Sequence, residues 1–109
     1  MNDPNKFDII IPVFQEDESI KITVKNIINK VTKNIRILIC YDYDEDPTLK
    51  ILKDNFPNNK KIYFIKNKSQ GFNSAIITGI ENSSADAVLI YMADDHENFN
   101  IIDKIFEKY

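Results

Sequence analysis

Hydrophobic and polar positions along this chain switch repeatedly between two periods. The run Phe7-Asp8-Ile9-Ile10-Ile11-Pro12-Val13 is short, apolar and rich in β-branched side chains, which suits a buried strand better than a helix. Over residues 17–31 the spacing changes: Ile20, Val24, Ile27, Ile28 and Val31 fall on one face of an amphipathic helix. Glu16, Asp17 and Glu18 crowd its start, where carboxylates complement the helix dipole. A second strand runs from Ile35 to Cys40. Asp46-Pro47 then predicts the N-cap and first-turn proline of a helix carrying Leu49, Ile51 and Leu52. Pro57-Asn58-Asn59 stops that helix, and residues 61–65 form a third strand. Residues 69–83 form a third helix with Phe72, Ala75, Ile76, Gly79 and Ile80 on one face. Residues 87–92 form a fourth strand, and Ile101, Ile102, Ile105 and Phe106 open a fourth helix.

Strands that are apolar throughout and alternate with helices imply a mainly parallel α/β sheet covered on both faces, a three-layer arrangement. Right-handed crossovers leave few strand orders. In the Rossmann-like order 3-2-1-4 the first and fourth strands are neighbours at the switch point, and a ligand binds beyond their carboxyl ends. A length of 109 residues permits one domain. The glycine within the third helix, Gly79, costs about 1 kcal/mol against alanine, which predicts tight packing of that helix on the sheet.

Composition narrows the function. Hydrophobic residues make up 43% and charged residues 28% of the chain, the balance of a soluble globular domain. Net charge is −3 with lysines scattered among the acids, unlike a nucleic-acid binder, which gathers its cations on one face. The single cysteine, Cys40, lies inside a strand. It is expected to be a buried small hydrophobe in a reducing compartment, hence cytoplasmic, or at the cytoplasmic face of a membrane in a longer parent. No segment approaches the roughly 18 apolar residues of a membrane span, and no secretory signal precedes the first strand.

Acids cluster where strands end. The fourth strand delivers Asp94 and Asp95, followed by His96; the first ends at Glu16; the second runs into Asp42, Asp44, Glu45 and Asp46. Three acid-bearing strand ends of the same kind describe one pocket. Paired carboxylates there suit a hard cation such as Mg²⁺ or Mn²⁺, which keeps phosphate oxygens in its shell. Asp42, nearest its strand end, suits a base or ribose; Asp46 is accounted for as a helix cap, Asp44 and Glu45 by solvation. Gly71, ahead of the third helix, allows close backbone approach to an anion at the helix N-terminus.

In order along the chain, these motifs resemble the family 2 glycosyltransferases of the GT-A (nucleotide-diphospho-sugar transferase) fold. Ile11-Pro12-Val13-Phe14-Gln15-Glu16 is similar to their I-P-x-Y-N-E. Cys40 through Thr48 takes the place of V-D-D-G-S-x-D-x-T. Asn67 through Ala85, with Gly71, Ala75, Gly79 and Ile80 in register, looks like N-x-G-x-x-x-A-x-x-x-G-I-x-x-A. Ala93-Asp94-Asp95 is similar to a D-x-D variant with adjacent acids.

The resemblance covers nearly all of the chain, so residues 1–109 are expected to be the nucleotide-sugar-binding half of such a domain. It implies a sugar donor on uridine or guanosine diphosphate, a divalent cation and inverting transfer to a glycan, lipid or polysaccharide-precursor acceptor. It places Pro12, Val13 and Phe14 at the nucleobase wall with Glu16 nearby, Asp42 at base or ribose, and Asp94 toward ribose or sugar. Asp95 is the implied metal ligand, with His96 accessory.

Gln15, Phe14 and Tyr41 depart from the family pattern, Tyr41 standing where the second motif has its first acid. The acceptor site and carboxylate base of the family have no match here, so the catalytic residue is unknown. The chain is expected to be a truncated piece or a naturally short relative, inactive as a transferase by itself and prone to self-association through an exposed sheet edge. A noncatalytic nucleotide-binding or interaction fragment is the alternative. A receiver-type Mg²⁺-binding signalling domain fits less well, because the third strand runs into Ile65-Lys66-Asn67-Lys68 without an aspartate.

Overall fold

A computed structural model describes residues 5–109; Met1 to Pro4, the first residues of the expected domain, lie outside the described part. Four strands, β1 (Phe7–Pro12), β2 (Ile35–Tyr41), β3 (Ile62–Lys66) and β4 (Ala87–Ile90), alternate with α1 (Ile20–Lys30), α2 (Pro47–Asn55) and α3 (Phe72–Glu81). A 3-10 turn, Asn98–Ile101, leads into α4 (Ile102–Glu107). The sheet is parallel throughout in the order β3-β2-β1-β4, as expected. In its register Ile9 lies between Ile37 and Leu89.

Alternation along each strand divides the core. Ile9, Ile11, Ile37 and Ile39 face one layer, packed with Ile20, Val24 and Ile27 of α1, Leu52 of α2, and Ile102 and Phe106 of α4. Ile10, Leu38 and Cys40 face the other, where Ala75 of α3 covers them. Cys40 is buried, and burial pushes its thiol up to about 11.

The third helix starts later than its periodicity suggests, at Phe72, and packs through a narrower seam. Ala75, Thr78 and Gly79 are its buried residues, while Phe72 and Ile80 of the expected face are exposed. A Cβ at position 79 would lie 2.8 Å from Ile10 Cγ2. The absence of a side chain there is what lets the helix settle onto β1, which accounts for a glycine inside the helix.

Similarly, Asp17 and Glu18 fall before α1, in a turn closed by Ser19 N–H donating to Asp17 Oδ1 at 2.9 Å. β4 ends two residues early, although Tyr91 N–H still donates to Ile10 O at 2.9 Å.

The two sheet edges differ. Lys60, Lys61 and Lys66 flank or occupy β3, a guard against strand addition. β4 carries no charge, and Val88 is exposed on it, with Ile80, Ile101 and Ile105 exposed nearby in sequence. Among the described residues no helix is long and apolar enough to cross a membrane.

Candidate nucleotide pocket

Beyond the carboxyl ends of β1, β2 and β4 lies a cavity of about 500 Å³. Pro12, Val13, Phe14 and Glu16 line it from the β1 side and Asp42 from β2. Gly71 lines it at the start of α3, and Asp94 after β4. Four segments distant in sequence thus meet on one wall. Gln70, Phe72, Met92 and Ala93 complete it; the sequence marked none of them as pocket residues, Phe72 being expected on the sheet-facing side of its helix.

The β1–α1 loop is pinned from outside the pocket. Asp46 caps α2 by accepting from Thr48 N–H (2.8 Å) and, with its other oxygen, accepts from Gln15 N–H (2.9 Å). Thr48 Oγ1 accepts from Glu16 N–H at 2.9 Å. These bonds hold Gln15 in the left-handed region, φ 50°, a conformation uncommon outside glycine. Phe14 is thereby left 55% exposed at the pocket rim, in edge contact with Tyr43 at 6.1 Å between centroids. Asp46 is a cap, as its sequence context indicates, but it also shapes the loop.

Asp42 is held from two sides. Asn67 Nδ2 donates to its Oδ1 at 2.7 Å, and Gly71 N–H lies 3.3 Å from Oδ2. Asn67 is buried, and its N–H donates to Tyr41 O at 2.7 Å. Gly71 has φ +106°, which favours glycine because a side chain there would be strained.

The two adjacent acids after β4 part company. Asp94 is exposed on the pocket wall, and its carboxylate takes no hydrogen bond from a described residue. Asp95 faces a separate depression beside Leu89 and Ile101. Its Oδ1 accepts from Glu97 and Asn98 N–H, each at 2.9 Å, and its Oδ2 from Asn98 Nδ2 at 2.7 Å. Burial pushes the Asp95 carboxyl up, but these hydrogen bonds outweigh it and hold it below its ordinary value. Tyr91 donates to Asp95 O, and Thr23 Oγ1 to Ala93 O at 2.7 Å, fixing the turn to β4 and α1.

His96 is half-buried, with an Nε2 that has no partner. Among the described residues, no group of three or more His, Cys, Asp or Glu side chains could enclose a metal. The donor set fits a cation of the Mg²⁺ type only in one form, with one or two carboxylates and the remaining shell from phosphate and water. Asp103 accepts from Thr32 and Lys33 N–H and so joins α4 to the end of α1.

Residues 8–101 match the model of glycosyl transferase family 2. Glycosyltransferase GlyA of Streptococcus pneumoniae serotype 4 is 25% identical over 104 residues, 95% of this chain and 15% of the relative. Chondroitin synthase of Escherichia coli is 31% identical over 72 residues, 66% of this chain and 10% of the relative. The undecaprenyl-phosphate 4-deoxy-4-formamido-L-arabinose transferase of Proteus mirabilis is 28% identical over 95 residues, 83% of this chain and 29% of the relative. The chain therefore spans less than a third of the length of each of these relatives.

Proposed function

The chain belongs to glycosyl transferase family 2, and from that premise we propose that it is the donor-binding half of a glycosyltransferase domain. Its ligand is a sugar carried on uridine or guanosine diphosphate. One observation carries this: the cavity at the switch point is walled by Phe14 and two carboxylates, Asp42 and Asp94, from separate strand ends. Phe14 presents an exposed ring to a base, and Asp42 faces the same cavity with both oxygens already oriented. Asp94, which takes no hydrogen bond from a described residue, is the carboxylate available to a cation.

The motif assigns the cation to Asp95; the geometry favours Asp94, with Asp95 holding the turn that presents it. His96 stays as the accessory donor, because its Nε2 is the only buried side-chain nitrogen without a partner among the described residues. A divalent cation bound at such a site neutralises charge on the diphosphate leaving group.

In inverting transfer the acceptor oxygen bonds to the anomeric carbon as the bond to the diphosphate oxygen breaks. The electron pair leaves with the diphosphate, and the acceptor proton goes to a base. No residue of this chain is assigned that role, so binding without transfer is expected. The acceptor, a glycan, lipid or polysaccharide precursor, is supported only by relatives, one named as a chondroitin synthase and one for undecaprenyl phosphate.

Calorimetry with uridine and guanosine diphosphates, with and without Mn²⁺, tests the site. Weak, metal-dependent binding is expected, lost in Asp94→Ala and only reduced in Asp95→Ala. The reverse ranking would return the cation to Asp95. No binding in either form, or glycosyl transfer by this chain alone, would overturn the reading. Self-association through the uncharged β4 edge belongs to the same proposal. The apparent mass from light scattering should rise with concentration; a constant monomer would remove it.

A further inference from the structure

At the opposite, amino end of the sheet the structure gathers more positive charge than negative. A cavity of about 400 Å³ opens there, lined by Lys6, Arg36, Lys60 and Lys61. One carboxylate, Asp8, reaches it. Asp8 is fully buried, and both its oxygens are taken by Arg36, Nε to Oδ1 at 2.8 Å and Nη2 to Oδ2 at 2.7 Å, with Ser83 Oγ also donating to Oδ2. Asp8 thus balances Arg36 alone. Asp86 adds a second negative charge at the Lys6 side, its Oδ2 accepting from the backbone N–H of Lys6 at 2.8 Å, so two carboxylates stand against four cations. None of the ammonium groups of Lys6, Lys60 and Lys61 pairs with a carboxylate of a described residue.

Three ammonium groups with no ion-pair partner among the described residues, around one cavity of net positive charge, are unexpected in a chain of net charge −3. They are drawn from the entrances to β1 and β3, and Arg36 of β2 stands between them. Arg36, the only arginine in the chain, is the rigid member. Its bidentate bond to Asp8 uses two of the five guanidinium donors, and the Tyr63 ring lies 5.1 Å from its charge centre. A planar donor group fixed this way, beside exposed lysines, matches the oxygens of a phosphate.

We propose that this amino-end cavity binds a phosphate-class anion, free or as the headgroup of an anionic lipid, independently of the pocket at the other end of the sheet.

Two titrations test it on the full chain. Adding inorganic phosphate at constant ionic strength should shift the amide signals of Lys6, Arg36 and Lys61 saturably, and the double substitution K60E/K61E should weaken this at least tenfold. Separately, vesicles of phosphatidylcholine with phosphatidylglycerol should sediment the protein more than phosphatidylcholine alone, again lost in K60E/K61E. Shifts without vesicle binding identify the free anion; vesicle binding without shifts identifies the headgroup. If neither occurs, or if K60E/K61E leaves both intact, the site does not exist. Nucleotide binding at the carboxyl-end pocket should be unchanged in that variant, which separates the two outcomes.

Discussion

Replacing Asp42 by alanine is expected to weaken nucleoside diphosphate binding by about 10- to 100-fold, the loss of a charged hydrogen-bonding partner worth about 1.5–3 kcal/mol. The same change strips Asn67 Nδ2 of its acceptor at 2.7 Å, and Asn67 is buried. Some loss of stability therefore accompanies Asp42→Ala, and affinity has to be read against a folded control. Asp42→Asn supplies it: one oxygen remains for Asn67 or Gly71 while the charge is gone. Calorimetry should show the asparagine form folded and still weakened. Native affinity in Asp42→Asn and Asp42→Ala alike would take Asp42 out of the site.

Asp46→Ala should be the most destabilising change near the pocket although Asp46 does not line it. An N-cap lost to alanine costs about 1 kcal/mol, and releasing Gln15 N–H adds about 1 more. For a chain of this size that lowers the melting temperature by about 5–15 °C. The released loop carries Phe14 and Glu16, so nucleotide affinity should fall as well. Asp46→Asn separates the effects. Asparagine caps a helix about as well as aspartate, but its amide offers one oxygen where Asp46 uses two, for Thr48 and Gln15. Its melting temperature should fall about half as far as that of Asp46→Ala, through loss of the Gln15 bond alone, while affinity drops as much. Unchanged affinity in Asp46→Asn would show that the Gln15 bond does not shape the pocket.

Much of the architecture is visible in the order of the residues, because apolar period and turn chemistry are local properties. Ile9-Ile10-Ile11 and Ile37-Leu38-Ile39 have no polar face, so they had to be strands covered on both sides. Asp46-Pro47 had to open a helix. Right-handed crossovers then leave few strand orders, and the usual one of these, 3-2-1-4, is the one found, with Glu16, Asp42 and Asp94 at the same end of the sheet. Gly79 likewise announced close packing before its neighbour was known.

What the order of residues could not decide was direction and partnership. Asp94 and Asp95 are adjacent and chemically identical. Only the turn after β4 sends one to the cavity and engages the other with Glu97 and Asn98. Asp46 looks the same as any capping residue until Gln15 and Glu16, more than 30 positions earlier, fold against α2. Phe72 and Ile80 share an expected helical face with Ala75 and Gly79, yet they are exposed while Ala75 and Gly79 are buried, and at Gly79 Ile10 of β1 leaves no room for a side chain. Lys6, Arg36, Lys60 and Lys61 are scattered in sequence and become a cluster only when β1, β2 and β3 begin side by side. Periodicity specifies elements because it is local, whereas a carboxylate's direction and a cluster's charge depend on contacts that exist only after the chain has closed on itself.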